Sequence, residues 1–189
     1  MKLNLKKYVP WNQVWSLLKA HLVLSILSGL LGLMVLISII ANPVGNAIFT
    51  GIMMVIYFFS IYGAASNCAL RDLKPYTEEE PYPWKGLLLP VGIILATLAL
   101  WGLYQAAWHF MTIDGNLATV TGIACNVIFV VWTFMYNALM GLQNGGMNWY
   151  AYVVVLVVPV AASGLGYYAG YRGFDLYDKL MRFVYEKKK

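Results

Sequence analysis

The chain has 189 residues, of which 61% are hydrophobic and only 11% charged, with a formal net charge of +5. Soluble domains carry charge at about a quarter of their positions, so this composition excludes an ordinary water-soluble domain. Three stretches (20–70, 86–113 and 115–171) contain no Asp, Glu, Lys or Arg at all. They are too long for the buried helices of a soluble protein and predict an all-α integral membrane protein built as a helical bundle.

The charge-free stretches divide into segments of membrane-spanning length. A spanning helix needs about 20 apolar residues. Polar and Gly/Pro-containing turns at 42–46, 112–116 and 143–148 interrupt the stretches. The sequence therefore predicts five hydrophobic segments, with four to six spans as the possible range. The segments are 20–41, 47–70, 86–110, 117–141 and 149–171.

The regions that flank these segments carry the charge. In 1–19, apolar side chains recur at helical spacing among lysines, which predicts an amphipathic helix in the membrane interface; they are Trp11, Val14, Trp15 and Leu18. The tail 172–189 has a similar basic, amphipathic pattern. Loop 71–85 contains three adjacent Glu and several Pro, and we expect it to be solvated and extended.

The cations create a conflict over topology. Lys and Arg in short loops remain cytoplasmic. Five spans would place seven of the thirteen cations on one side of the membrane and six on the other. The seven are Lys2, Lys6, Lys7, Lys19, Arg71, Lys74 and Lys85, and the six are Arg172, Lys179, Arg182 and the three lysines 187–189. An even number of spans would place all thirteen on one side. Three resolutions are open: a re-entrant or interfacial segment within 86–141, a sixth short span within 104–125, or five spans with ambiguous or dual orientation.

Five full spans are our working prediction. The amino-terminal residues and loop 71–85 are placed in the cytoplasm, because those charges are met first during insertion. We expect the plasma membrane as the location, and the side of the carboxyl-terminal tail stays open. A faint internal likeness between 20–71 and 117–172 also raises the interpretation of two inverted hairpins, as in many transporters.

Polar residues recur on one face of the fourth segment, and the second and third segments carry polar residues as well. Asn126, Thr133 and Asn137 share a helical face, and Gln105 and His109 lie one turn apart. Two interpretations are open: interhelical hydrogen bonds that fix the packing, or a neutral polar pocket between segments two, three and four. The candidate residues for either role are Asn126, Thr133, Asn137, Ser60, Asn67, Gln105 and His109. Both histidines, His21 and His109, are expected to be solvated at the interface.

Small residues recur at four-residue and three-residue spacing, which permits close approach of helices. The predicted packing positions are Gly29, Gly32, Ala162, Gly166 and Gly170. They indicate contacts within the bundle or in a homo- or hetero-oligomer.

No motif for chemistry is apparent. The sequence lacks a phosphate-binding glycine loop, His-Glu-x-x-His, Gly-x-Ser-x-Gly and any cluster of carboxylates within a segment. We therefore expect no enzyme activity, metal, cofactor or nucleic-acid partner; the positive charge suits the anionic headgroups of the lipid bilayer. The predicted function is a non-catalytic accessory or structural subunit of a membrane complex. The alternative is a transport or binding component for a small solute, and an intramembrane enzyme is a third, weaker possibility.

Overall fold

The structure is a computed structural model that describes residues 10–39, 42–77, 80–111, 117–140 and 149–174. All regular secondary structure in these ranges is helical: α1 Trp11–Ile39, α2 Pro43–Asp72, α3 Lys85–Leu88, α4 Val91–Met111, α5 Leu117–Thr133, a 3₁₀ turn Phe134–Tyr136, α6 Asn137–Met140 and α7 Trp149–Tyr171. Five stretches are long and apolar enough to cross a bilayer, namely Trp11–Gly32, Pro43–Asp72, Lys85–Ala107, Gly122–Met140 and Tyr150–Tyr171. The prediction of five apolar helical segments is confirmed.

Helix α1 begins earlier than the first predicted segment. The Pro10 carbonyl accepts hydrogen bonds from the backbone N–H groups of Gln13 and Val14, which closes the first turn. The helix then continues without interruption to Ile39, so the predicted boundary at residues 19 and 20 is not a helix end. Val14 and Leu17 are buried in the bundle. Of the predicted tail, residues 175–189 lie outside the described residues.

Helix α2 begins at Pro43, inside the stretch predicted to be a turn. The Asn42 side chain caps it by accepting a hydrogen bond of 3.0 Å from the Val44 N–H. Proline suits this first position because its missing N–H would have no partner within the helix. Asn42 and Pro43 together therefore fix the start of α2.

Helices α2 and α7 form the closest helix pair. Gly166 lies against the backbone of Tyr62, and a Cβ at Gly170 would come within 2.6 Å of the Ser66 carbonyl oxygen. The residue numbers of the contacting pairs rise together, from Tyr62 with Gly166 to Ser66 with Gly170. The two helices therefore run in the same direction. The inverted-hairpin interpretation requires opposite directions and is wrong on this point.

The other small residues occupy varied environments. Ala162 is completely buried. Gly32 lies against the Phe134 ring, so a larger side chain there would require that ring to move. A Cβ at Gly29 would approach only the Val131 side chain, at an ordinary 3.9 Å. Of the two predicted packing glycines in α1, therefore, only Gly32 has a neighbour that a larger side chain would displace.

Four helix termini meet at one end of the bundle. The starts of α1 and α3 and the ends of α2 and α7 converge there, through side-chain contacts to Asp72. We call this the basic end, because the adjoining sequence carries the Lys and Arg residues. At the opposite, cation-free end, α1 and α4 finish and α2 and α7 begin.

The fourth segment does not run straight through the bundle. Along α5, Phe129 stacks on Tyr104 and Trp132 reaches Thr97, so α5 descends antiparallel to α4 from the cation-free end. After the 3₁₀ turn, the Asn137 side chain donates to that of Asn46 at 3.3 Å. Asn46 lies in the first turn of α2. Residues 117–140 therefore start and finish in the same half of the molecule.

The depth of this segment follows from helix geometry. Its deepest contacts join Trp132 to His21 and Thr97. These residues lie ten and twelve positions from the starts of α1 and α3, or about 15 and 18 Å at 1.5 Å per residue. The apolar stretch Trp11–Gly32 has 22 residues, or about 33 Å on the same measure. The deepest contacts of the segment thus lie near the middle of the bundle.

Candidate functional site

A buried polar cluster joins four helix ends at the basic end. The Asp72 carboxylate accepts hydrogen bonds from the Gln13 amide, from Lys85 Nζ at 2.7 Å and from the Tyr167 hydroxyl at 2.8 Å. Each of these four residues is at most 3% exposed. We call them the Asp72 cluster. Its ion pair is neutral overall, and two further donors bind the carboxylate oxygens, which is the condition for tolerating a buried charge.

Close backbone packing makes the cluster possible. A Cβ at Gly86 would come within 2.5 Å of the Tyr167 Cβ, so glycine lets α3 approach α7. At the same place the Ser163 hydroxyl donates to the Gly86 carbonyl at 2.7 Å. Lys85 is thereby held with its ammonium group on Asp72 and away from solvent.

The prediction of a solvated loop over 71–85 is wrong at both of its ends. Asp72 and Lys85 are buried, whereas Arg71 and Lys74 are exposed. The physical reason is that Asp72 and Lys85 neutralise each other and share donors from α1 and α7. Those donors are 59 and 95 positions away in sequence, so the local charge pattern resembles that of any polar loop.

A second polar region surrounds the point where the fourth segment turns. We call residues 132–138 the mid-bundle turn. The Ser25 hydroxyl donates to the Trp132 carbonyl at 3.0 Å, and the Thr50 hydroxyl accepts from the Ala138 N–H at 3.0 Å. Thr133 also donates to the Phe129 carbonyl at 2.8 Å. Non-helical backbone at membrane depth persists only where such groups are satisfied by protein, and here two neighbouring helices supply the partners.

His21 belongs to this region and is 1% exposed, so the prediction of a solvated interfacial histidine is wrong for it. Its Nδ1 hydrogen-bonds the Tyr57 hydroxyl at 2.8 Å, and its ring packs 4.3 Å from that of Trp132. The error arises because α1 starts at Trp11, which places His21 almost three turns inside the bundle. Among the described residues, His21 Nε2 and the nearby Tyr136 hydroxyl are buried without a hydrogen-bond partner.

The predicted pocket residues occupy separate places. Asn137 pairs with Asn46, and the Thr133 hydroxyl bonds within its own helix. Ser60 is partly buried, whereas the remaining three predicted residues of α2 and α4 are exposed; these are Asn67, Gln105 and His109. In the described parts of the chain, these side chains do not line a common cavity.

Asn126 alone borders a sizeable groove. The groove lies between α1 and α5, has a volume of about 360 Å³ and is lined by Ile26, Gly29, Leu30, Asn126, Val127, Val130, Val131 and Phe134. Its surface is almost entirely apolar. The Asn126 Oδ1 atom is buried and has no hydrogen-bond donor among the described residues. This acceptor is therefore unsatisfied within the described bundle, and a side-chain movement would be needed to bring it to a donor in the groove.

A second groove, of about 250 Å³, lies between α4, α5 and α7 and is lined by apolar and aromatic groups with Thr97 at one side. The Thr97 hydroxyl already donates to the Ile93 carbonyl and accepts from Trp132 Nε1. This groove therefore offers shape and apolar surface but no polar group directed at a ligand.

Groups suited to metal binding do not converge in the described residues. No set of three or more His, Cys, Asp or Glu side chains is placed there to hold an ion. Cys68 is a buried free thiol and Cys125 is a partly buried one. The polar chemistry that the structure brings together is thus the Asp72 cluster, the mid-bundle turn and the acceptor of Asn126.

No protein-family model, curated protein or solved structure matches the chain. The contacts described above are therefore the basis for any functional conclusion.

Proposed function

We propose that this protein is a non-catalytic accessory or structural subunit of a membrane complex. The observation that supports the proposal most is the apolar groove between α1 and α5, with the donor-less oxygen of Asn126 at its wall. The other predicted polar residues of the fourth segment hydrogen-bond within the bundle. Their bonds hold helices together, whereas the Asn126 oxygen borders the groove and has no donor among the described residues.

The groove has the chemistry of a helix-docking site within a bilayer. Helices associate in lipid through close packing and a few hydrogen bonds. Gly29 lines the groove, and Ile26, Leu30 and Val127 present exposed apolar side chains along it. We propose that a transmembrane helix of a larger partner packs here and that one of its polar side chains donates to Asn126.

The alternative is a transport or binding component for a small neutral solute. That function needs several polar side chains around one cavity. The pairing of Asn137 with Asn46 and the exposed position of Gln105 favour the subunit proposal instead.

The proposal is tested by purifying the protein from its own membranes in mild detergent and measuring complex mass and composition. We expect a stoichiometric complex well above the chain mass of 21.2 kDa. Asn126→Leu should weaken partner binding about threefold to twentyfold, since an interhelical hydrogen bond contributes about 0.6 to 1.7 kcal/mol.

Asn67→Leu is the matched control, because it removes an exposed amide far from the groove. It should leave partner recovery unchanged. Wild-type protein that is monomeric in its own membranes, or equal partner binding by Asn126→Leu and wild type, would contradict the proposal. Solute uptake by liposomes that contain this chain alone would favour the transport alternative.

A further inference from the structure

We propose that residues 117–140 form a re-entrant segment that enters and leaves the bilayer at the same face. The chain then crosses the membrane four times, and all thirteen Lys and Arg lie on one face, which binds the anionic surface of the cytoplasmic leaflet. This inference stands independently of the proposed subunit function.

The first support is the path of the segment. Helix α5 descends along α4 as far as Thr97, and the residues after the 3₁₀ turn contact Asn46 and Thr50 near the start of α2. Helix α7 then begins at the cation-free end and runs parallel to α2 to the basic end. A full crossing would instead bring residues 137–140 beside the Asp72 cluster.

The second support is that the mid-bundle turn suits a hydrocarbon environment. The hydroxyl groups of Ser25 and Thr50 bond backbone groups of the turn. The residues on both sides of the break are buried. An unsatisfied backbone group is unfavourable in hydrocarbon, so these hydroxyl partners permit the chain to reverse direction there.

The third support is charge. With four crossings, the residues before α1, the loop 73–84 and the residues after α7 share one face. These regions carry ten of the thirteen Lys and Arg, and the other three, Lys19, Arg71 and Lys85, lie in the parts of α1, α2 and α3 nearest that face. Seven of the eight carboxylates are on the same side, and the opposite connections carry only Asp114. Five spans would divide the Lys and Arg residues seven to six between the two sides of the membrane, whereas four spans place all thirteen on one side. This arrangement satisfies the preference for cytoplasmic cations.

The consequence is a defined surface for anionic lipid. The anionic lipids of the cytoplasmic leaflet attract basic residues near the membrane surface. On the described part of this face, Arg71, Lys74 and Arg172 are exposed at the bundle end. Lys85 does not contribute, because its charge is paired with Asp72.

The topology is tested by labelling single cysteines in intact, right-side-out cells or vesicles, in a Cys68→Ala, Cys125→Ala background. Lys74→Cys and Arg172→Cys report on the basic end, while Asp114→Cys and Gly145→Cys report on the connections at the other end. An impermeant maleimide should label the second pair from outside, and the first pair only after permeabilisation. If Lys74→Cys and Arg172→Cys label from opposite faces, or each position labels from both, the inference is overturned.

A second measurement tests the lipid surface and does not depend on cysteine variants. Spin-labelled phosphatidylglycerol should be enriched severalfold over phosphatidylcholine beside the reconstituted protein, and 0.5 M salt should reduce the enrichment by screening. Equal association of the two lipids at low salt would refute the anionic-lipid interaction.

Discussion

The Asp72 cluster and the mid-bundle turn both join helices that are distant in sequence, but they use different interactions. The Asp72 cluster uses an ion pair and lies where four helix ends meet. The mid-bundle turn lies about halfway along the bundle and uses hydroxyl and amide groups. The buried ion pair thus lies at the end of the bundle, and neutral donors serve the buried interior, where an ionised group would be most costly.

The difference has an energetic consequence. Removing one partner of a buried ion pair leaves an uncompensated charge, whereas removing a hydroxyl leaves one weak bond unmade. Loss of a single side chain should therefore affect the Asp72 cluster far more than the mid-bundle turn.

Asp72→Ala should have the largest effect. It removes the carboxylate that pairs with the buried Lys85 ammonium and that accepts hydrogen bonds from Gln13 and Tyr167. We expect a loss of about 3–5 kcal/mol in the free energy of unfolding. Unfolding in mixed detergent and SDS micelles, followed by circular dichroism, measures this loss. Lys74→Ala, which removes an exposed cation of the adjacent loop, is the control and should change stability by less than about 0.5 kcal/mol.

A double variant separates the charge from the remaining contacts. Asp72→Leu with Lys85→Met removes both members of the pair and should recover at least half of the stability lost in Asp72→Ala, because no buried charge is left unpaired. Equal losses in the single and double variants would show that the ion pair is not what makes Asp72 important.

Ser25→Ala should have a smaller effect at the mid-bundle turn. It removes the hydroxyl that bonds the Trp132 carbonyl, and we expect a loss of about 0.6 to 1.7 kcal/mol in the same assay. Ser16→Ala makes the identical change at an exposed position of the same helix and corrects for helix propensity. A loss in Ser25→Ala as large as that of Asp72→Ala would remove the contrast between the two regions.

The apolar segments could be predicted from sequence because their signal is local: each is a long charge-free run bounded by polar turns. The break at Phe134–Tyr136 could not, since it contains no proline or glycine and lies within such a run. It depends on hydroxyls from α1 and α2, more than 80 residues away. The sequence spacing predicts Asn126 and Asn137 on one face of a continuous helix. The break instead directs Asn126 to the groove and Asn137 to Asn46.

The ion pair was missed for a related reason. Asp72 and Lys85 stand among other charges beside three glutamates, a composition typical of solvated loops. Their burial depends on Gln13 and Tyr167, which reach them only after the four helix ends have assembled.

The return of the fourth segment to the cation-free end is the central claim, and a crosslinking measurement tests it most directly. In the cysteine-free background, Asn46→Cys with Asn137→Cys replaces two side chains that are 3.3 Å apart. We expect this pair to crosslink in native membranes with a short thiol-reactive reagent, whereas Leu89→Cys with Asn137→Cys should not, because Leu89 lies at the basic end. Crosslinking of the Leu89 pair without crosslinking of the Asn46 pair would show that the segment crosses the membrane completely, and would contradict the account.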